Sequence, residues 1–238
     1  MAFEEPQTAC HIAPEGDRCL IVSLGSSVDP VVNRRIHALA ERLLAESIPG
    51  VLDVVPAFTT VALHYRPEAF GEAPYDALSA RIVALMDAGL PALAESAREV
   101  RIPVCYGGAF GPDLGDIAER CGCTPDDVVA RHVASEHTVG MLGFAPGFPY
   151  LFGLDPRLSV PRRATPRTQI PPGSVAIAGG QSAIYPQETP GGWNLIGRTP
   201  LKLFDLARNP PCLLAPGDKV RFFAVTADEY QALAVAAA

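Results

Sequence analysis

Residues 173–197 read GSVAIAGGQSAIYPQETPGGWNLIG, and this stretch decides the fold. Its apolar runs, SVAIAGG, SAIY and WNLIG, are broken by glycine or proline every few residues. Proline removes a backbone donor and clashes with the preceding turn, so a continuous helix is excluded. Short apolar runs between ordered turns predict the strands of a barrel or sandwich. The pattern extends both ways, through MLGF at Met141, LKLF at Leu201 and KVRFF at Lys219. From Gly140 to Pro200, 61 residues hold ten of the 24 prolines and ten of the 21 glycines. No Gly-X-Y period accompanies them, which excludes a collagen. The Phe, Tyr, Leu, Ile and Trp among the turn formers are unlike a disordered segment.

Upstream the character differs. RCLIVSL (Arg18 to Leu24) reads as a buried strand, and Asp29-Pro30 pairs an N-cap with a preset first helical residue. Val32, Ile36, Leu39 and Leu43 then recur at helical spacing. VLDVVP and TTVALHY are extended, Leu78, Ile82, Leu85 and Met86 mark a second helix ended by Gly89, and EVRIPVCY (Glu99 to Tyr106) is extended again. The order β-α-β-β-α-β predicts a small α+β sandwich. Beyond it, Asp113 to Cys121 reads as a short helix, Thr124 to Asp127 as a capping box opening another, and Thr226 with Glu229 as the start of a closing helix.

The totals bound the function. The 238 residues suffice for one large or two small cores, and the net charge of −7 disfavours a nucleic-acid partner. The start, MAFEEPQTAC, lacks the basic and apolar regions of a signal peptide, and no run approaches the roughly 18 apolar residues of a membrane span. No nucleic-acid or membrane partner is expected, and the location expected is cytoplasmic. Of six cysteines only Cys121 and Cys123 lie close together, with no second pair, so they read as reduced thiols and no metal site is expected. GGAFGPDLG is not a Walker loop, and Gly25-Ser26-Ser27 is not a nucleophile elbow.

The chemistry concentrates in the turn-rich segment. Between Asp155 and Glu188 there is no acidic residue, while Arg157, Arg162, Arg163 and Arg167 fall within eleven positions. Guanidinium forks bind carboxylate and phosphate, so the cluster reads as an anion site; a solvated basic loop or a docking surface for an acidic partner explains the charge equally well. Gln181, Tyr185, Trp193 and Asn194 would line a small-molecule pocket beside it, with Glu188 as a base for water. The alternative is a turn cluster in which these side chains only pack. His132 follows Val128 by one helical turn and reads either as a catalyst or as a satisfied core residue.

Four segments carry a resemblance: PVCYGGAFGPDL (103–114), MLGFAPGFPYLFGLDPRL (141–158), PRRATPRTQIPPGSVAIAGGQSAIYP (161–186) and PGGWNLIGRTPLKLFD (190–205). Together they resemble the family of the 5-oxoprolinase B subunit, also called allophanate hydrolase subunit 1 or KipI-like. The resemblance implies an N-terminal α/β domain over residues 1–98, ferredoxin-like (βαββαβ) in the order read above. It implies a mainly-β, cyclophilin-like barrel domain over 99–238. It also implies a component of a hydrolase that, together with the A and C subunits, opens 5-oxo-L-proline to L-glutamate with ATP hydrolysis. Other members imply two alternatives: an inhibitor of a sensor histidine kinase, or the carboxyltransferase half of an allophanate or urea carboxylase-type system. On the first reading Arg162, Arg167, Gln181, Tyr185, Trp193 and Asn194 bind a small carboxylate or amide substrate, and Glu188 and His132 are catalytic. No nucleotide loop is recognisable, which leaves a partner protein open as the place where ATP binds.

Overall fold

The computed structural model describes residues 10–90 and 98–236; the stretch MAFEEPQTA lies outside them. Two compact units divide between residues 95 and 96. The first holds β1 (His11–Pro14), β2 (Cys19–Ser23), α1 (Pro30–Ala45), β3 (Val51–Pro56), β4 (Thr60–Tyr65) and α2 (Pro74–Asp87). Its antiparallel sheet runs β1-β2-β4-β3. Helix α1 starts where the sequence predicts: Asp29 accepts from the backbone N–H groups of Val31 (2.7 Å) and Val32 (3.1 Å), with Pro30 in the first turn. Ile36, Leu39, Leu43, Leu78 and Ile82 pack on Leu20, Val22, Val61 and Leu63 of the sheet.

The observed order is thus ββαββα rather than the ferredoxin-like βαββαβ expected. A short strand precedes the first one predicted, and the closing strand, β5 (Glu99–Tyr106), belongs to the second unit. It pairs in parallel with β13 (Lys219–Ala224), Val100 opposite Val220 and Ile102 opposite Phe222. A partner that far along the chain leaves no local mark.

The second unit continues with α3 (Leu114–Arg120), α4 (Pro125–Ala134), β6 (His137–Leu142), β7 (Pro149–Phe152), β8 (Arg167–Ile170), β9 (Ser174–Ala178), β10 (Gln181–Ile184), β11 (Thr189–Gly191) and β12 (Asn194–Arg198). After β13 comes α5 (Ala227–Ala236). Seven strands close a barrel in the order β10-β7-β6-β13-β5-β12-β9, and β8 and β11 form a separate ribbon. The Thr124 capping box forms as predicted, with reciprocal bonds to Asp127. LKLF is not a strand; only an isolated bridge joins Phe204 to Cys212.

Strand alternation sorts the side chains into two clusters. Ile102, Val139, Leu151, Val175, Ile177, Ile184, Ile196 and Val220, drawn from all seven barrel strands, fill the interior with Leu114 and Ile117 of α3 and Val128 of α4. The alternate positions Ala176, Ala178, Ala183 and Leu195 face the other way and carry Phe148, Tyr185 and Trp193. Small alanines there leave room for three large rings on the outside of the barrel wall. That outer layer positions the candidate site.

Candidate anion site on the outer barrel wall

The acid-free arginine segment finds its carboxylate far back in the chain. Asp113, 2% exposed, sits just before α3. It accepts from Arg163 Nη1 (2.6 Å), from Arg167 Nη1 and Nη2 (2.8 Å each) and from the Leu195 N–H (2.7 Å). Arg157 is also engaged, its Nη2 lying 2.6 Å from Asp155, whose carboxyl this pairing holds down at about 2. Of the four arginines, Arg162 alone has no carboxylate among the described residues. It is exposed, and its guanidinium lies 5.7 Å from the Trp193 ring centroid.

The backbone on both sides of Arg162 is fixed. Asn194 Nδ2 donates to Pro161 O (2.9 Å), and Arg163 N–H donates to Gly192 O (2.7 Å). With the Asp113 lock next to it, the loop presents one unpaired cation at a set place, stacked on a ring face. Cation–π stacking of this kind is electrostatically favourable and orients the fork. Trp193 in turn meets Tyr150 at 5.9 Å and Phe148 at 6.4 Å, and Phe148 meets Tyr185 at 5.1 Å. Arg162 also acts electrostatically on the Tyr150 and Tyr185 phenols, opposing the upward push of burial; Tyr185 is nevertheless raised to about 12.

The residues expected to bind substrate therefore divide. Arg162 keeps its donors free, and half-buried Gln181 starts β10 at the edge of the outer face. Arg167 is corrected to a structural partner of Asp113, because its fork is already filled. Asn194 is a clamp, its amide spent on Pro161 O and Ile177 O, and Tyr185, 1% exposed, is part of the platform rather than a pocket wall. Trp193 is 5% exposed and offers its ring to Arg162. Gly191 crosses directly over Tyr185: an added Cβ would stand 2.4 Å from the phenol oxygen, so only glycine permits this approach.

The two expected catalytic residues fare differently. Glu188 is exposed between β10 and β11. His132 is corrected to a core residue. It is fully buried, Nδ1 lies 2.8 Å from Tyr106 Oη, and Nε2 lies 3.2 Å from Ser182 Oγ. Burial, reinforced by neighbouring His137, holds it well below the usual histidine range, so it stays neutral and out of reach of a ligand.

Sequence reasoning missed Asp113 and Tyr150. The available signal for Asp113 was the missing acid itself, since a locked arginine cluster needs a carboxylate from elsewhere. The GGAFGPD loop does not fit a triphosphate. The Asp113 carboxylate fills its end, and a Cβ on Gly111 would stand 2.0 Å from Ile196 O, so the loop is packed against β12. Among the described residues no group of three or more His, Cys, Asp or Glu side chains is placed to hold a metal, and no helix is long and apolar enough to cross a membrane.

Comparison with known proteins shows the family. The family model described as carboxyltransferase domain, subdomain C and D, matches residues 10–214. The 5-oxoprolinase B subunit of Bacillus subtilis is 41% identical over 229 residues, covering 91% of this chain and 93% of that protein. The 5-oxoprolinase B subunit of Escherichia coli O157:H7 is 43% identical over 208 residues, covering 87% and 92%. The crystal structure of TTHA0988 superposes with a TM-score of 0.76 at 40% identity; it covers 87% of this chain, which spans 40% of that longer one. The chain thus belongs to the carboxyltransferase domain C and D family, and 5-oxoprolinase B subunits are relatives to which it is similar over nearly their whole length.

Proposed function

We propose that this chain is the B subunit of an ATP-dependent 5-oxoprolinase, which with the A and C subunits converts 5-oxo-L-proline to L-glutamate. One observation carries the site: Arg162 has no carboxylate partner among the described residues, is fixed on both sides and lies over Trp193, an anchor suited to a carboxylate or phosphate. The relatives at 41% and 43% identity, matched over nearly their whole length, support the choice of reaction.

The chemistry needs such an anchor. A lactam carbonyl is a poor electrophile. Transfer of the ATP γ-phosphoryl group to its oxygen creates a leaving group, and water then attacks the same carbon. Collapse breaks the ring C–N bond, with a proton going to the nitrogen, and leaves an acyl phosphate; a second water hydrolyses this to the carboxylate and inorganic phosphate. Charge builds on oxygen throughout, so positioned cationic donors lower the barrier. Arg162 holds the substrate carboxylate or the transferred phosphate. Glu188, exposed and near in sequence, is the candidate to take the proton from water.

Arg162 is exposed, so the site is an open shelf. Phosphoryl chemistry requires exclusion of water, so a partner protein must cover the shelf, and the nucleotide is placed on that partner. The test is reconstitution: the purified A and C subunits with 5-oxoproline and ATP, with and without this chain. Glutamate and phosphate formation should require it; equal rates on its omission overturn the reading.

A further inference from the structure

The ring platform places a second polar group beside Arg162. Tyr150 lies in β7, paired with Ala183 of β10 and Met141 of β6, so the barrel fixes its backbone. Its neighbour Leu151 fills the barrel interior, and strand alternation turns Tyr150 to the outer wall. There its ring meets Phe148 at 4.8 Å and Trp193 at 5.9 Å. Two rings on either hand leave a two-torsion side chain little room to swing, so a ligand that meets the phenol orders little. Tyr150 is half-buried. Its packing uses the aromatic body alone; Phe148, two residues earlier in the same outer cluster, carries the same ring without a hydroxyl.

Trp193 is the neighbour that Tyr150 and Arg162 share, since the Arg162 guanidinium lies 5.7 Å from the indole centroid. The two groups are near enough to act on each other. Burial pushes the Tyr150 phenol up, Arg162 pulls it down, and burial prevails. The phenol therefore stays protonated at neutral pH and keeps an O–H to donate. Arg162 is a donor only, and it has no carboxylate among the described residues. Two donors beside one indole suit an oxyanion, which accepts from both. We propose that Tyr150 is a second binding residue of the shelf, its hydroxyl donating a hydrogen bond to the same oxyanion that Arg162 holds. The inference rests on the function proposed above and deepens it: the anion is gripped by a fork from the loop and by a phenol from the barrel wall. That oxyanion belongs to the carboxylate of 5-oxoproline or to the transferred phosphoryl group, and kinetics separate the two.

The test is Tyr150→Phe in the complex reconstituted from this chain with the A and C subunits. The variant keeps the ring and its packing, so its melting temperature should stay close to the parent's. Its kcat/KM for 5-oxoproline should fall about tenfold, the value of one hydrogen bond to a charged group. A raised KM with kcat kept assigns the oxyanion to the substrate carboxylate, and a lowered kcat assigns it to the phosphoryl group. The readout that packing alone would not move is coupling to Arg162. In an Arg162→Gln background the same change should cost less than in the parent, by about threefold or more, because both donors serve one acceptor. Equal kcat/KM for Tyr150→Phe and the parent overturns the proposal. A loss of the same size with and without Arg162 also overturns it, by placing the phenol on another part of the ligand. A lower melting temperature with unchanged kinetics overturns it by assigning the hydroxyl to the fold. If glutamate formation does not require this chain, the function proposed above fails and the role of Tyr150 with it. If it requires the chain while Tyr150→Phe is unaffected, the role of Tyr150 fails alone.

Discussion

Arg167 grips Asp113 through two hydrogen bonds of 2.8 Å, one from each terminal nitrogen to a different carboxylate oxygen. Arg163 and the Leu195 N–H complete four donors on one buried acid. Asp113→Asn keeps the shape but removes the charge and turns an NH₂ group toward arginine donors. Breaking a buried ion pair costs about 3–5 kcal/mol. Here about 3 is expected, because the Arg163 and Arg167 side chains keep 33% and 25% exposure and regain some water. Urea denaturation would measure it, and a loss under about 0.5 kcal/mol would contradict the lock. Arg167→Lys should rescue poorly, since the bidentate fork is lost.

Two glycines near that lock should behave oppositely. A Cβ on Gly111 would meet Ile196 O at 2.0 Å and Gly107 N at 2.8 Å, both backbone atoms with little freedom to yield. Gly111→Ala should therefore cost about 3 kcal/mol or more. Gly115, in the first turn of α3, has nothing within 4 Å of where an added Cβ would stand. Gly115→Ala should stabilise by about 0.5–1 kcal/mol through helix propensity. Thermal melts of the two variants should move in opposite directions, and a shared direction would refute the packing of the loop against β12.

What could be read from sequence was local chemistry. The Asp29-Pro30 helix start and the Thr124–Asp127 capping box are set by neighbours within four residues, and both formed as expected. Short apolar runs between turn residues likewise revealed Ser174–Ala178 and Asn194–Arg198. The failures were non-local. Glu99–Tyr106 looks the same whether it closes a small sheet or pairs with Lys219–Ala224, and LKLF has the composition of a strand but lacks a neighbour to pair along its length. In the site, Arg162, Arg163 and Arg167 are indistinguishable by type; what separates them is a carboxylate more than forty residues earlier. His132 followed its helical stripe into the core, where both ring nitrogens found partners, so its periodicity told of packing rather than chemistry.

Arg162 should affect turnover without affecting the fold. It is exposed and forms no ion pair among the described residues, so Arg162→Gln should leave the melting temperature nearly unchanged. In the reconstituted complex it should lower kcat/KM by about 10- to 100-fold, the value of one charged hydrogen-bonding contact of about 1.5–3 kcal/mol. Arg162→Lys keeps the charge but loses the guanidinium fork held over Trp193, and should fall between. A kcat/KM equal to the parent's would remove Arg162 from the site.

His132 and His137 should give the protein an acid limit above that of its carboxylates. His137 is 1% exposed, and burial depresses it from the ordinary 6.5 to about 4. His132 is lowered as well. Both are neutral in the folded protein, whereas the unfolded chain takes up their protons near pH 6.5. The unfolded state thus binds more protons across this window, and stability rises with pH there. The contribution is complete above about pH 7 and is lost as pH falls toward 4. For His137 alone the shift corresponds to about 3 kcal/mol, with a slope of at most about 1.4 kcal/mol per pH unit. His137→Gln cannot titrate, and an amide can still donate to the His132 carbonyl that His137 Nε2 now approaches at 3.2 Å. Urea unfolding between pH 7.5 and pH 4.5 should show a shallower slope for this variant by close to one proton's worth. An identical slope would mean that other groups set the acid limit.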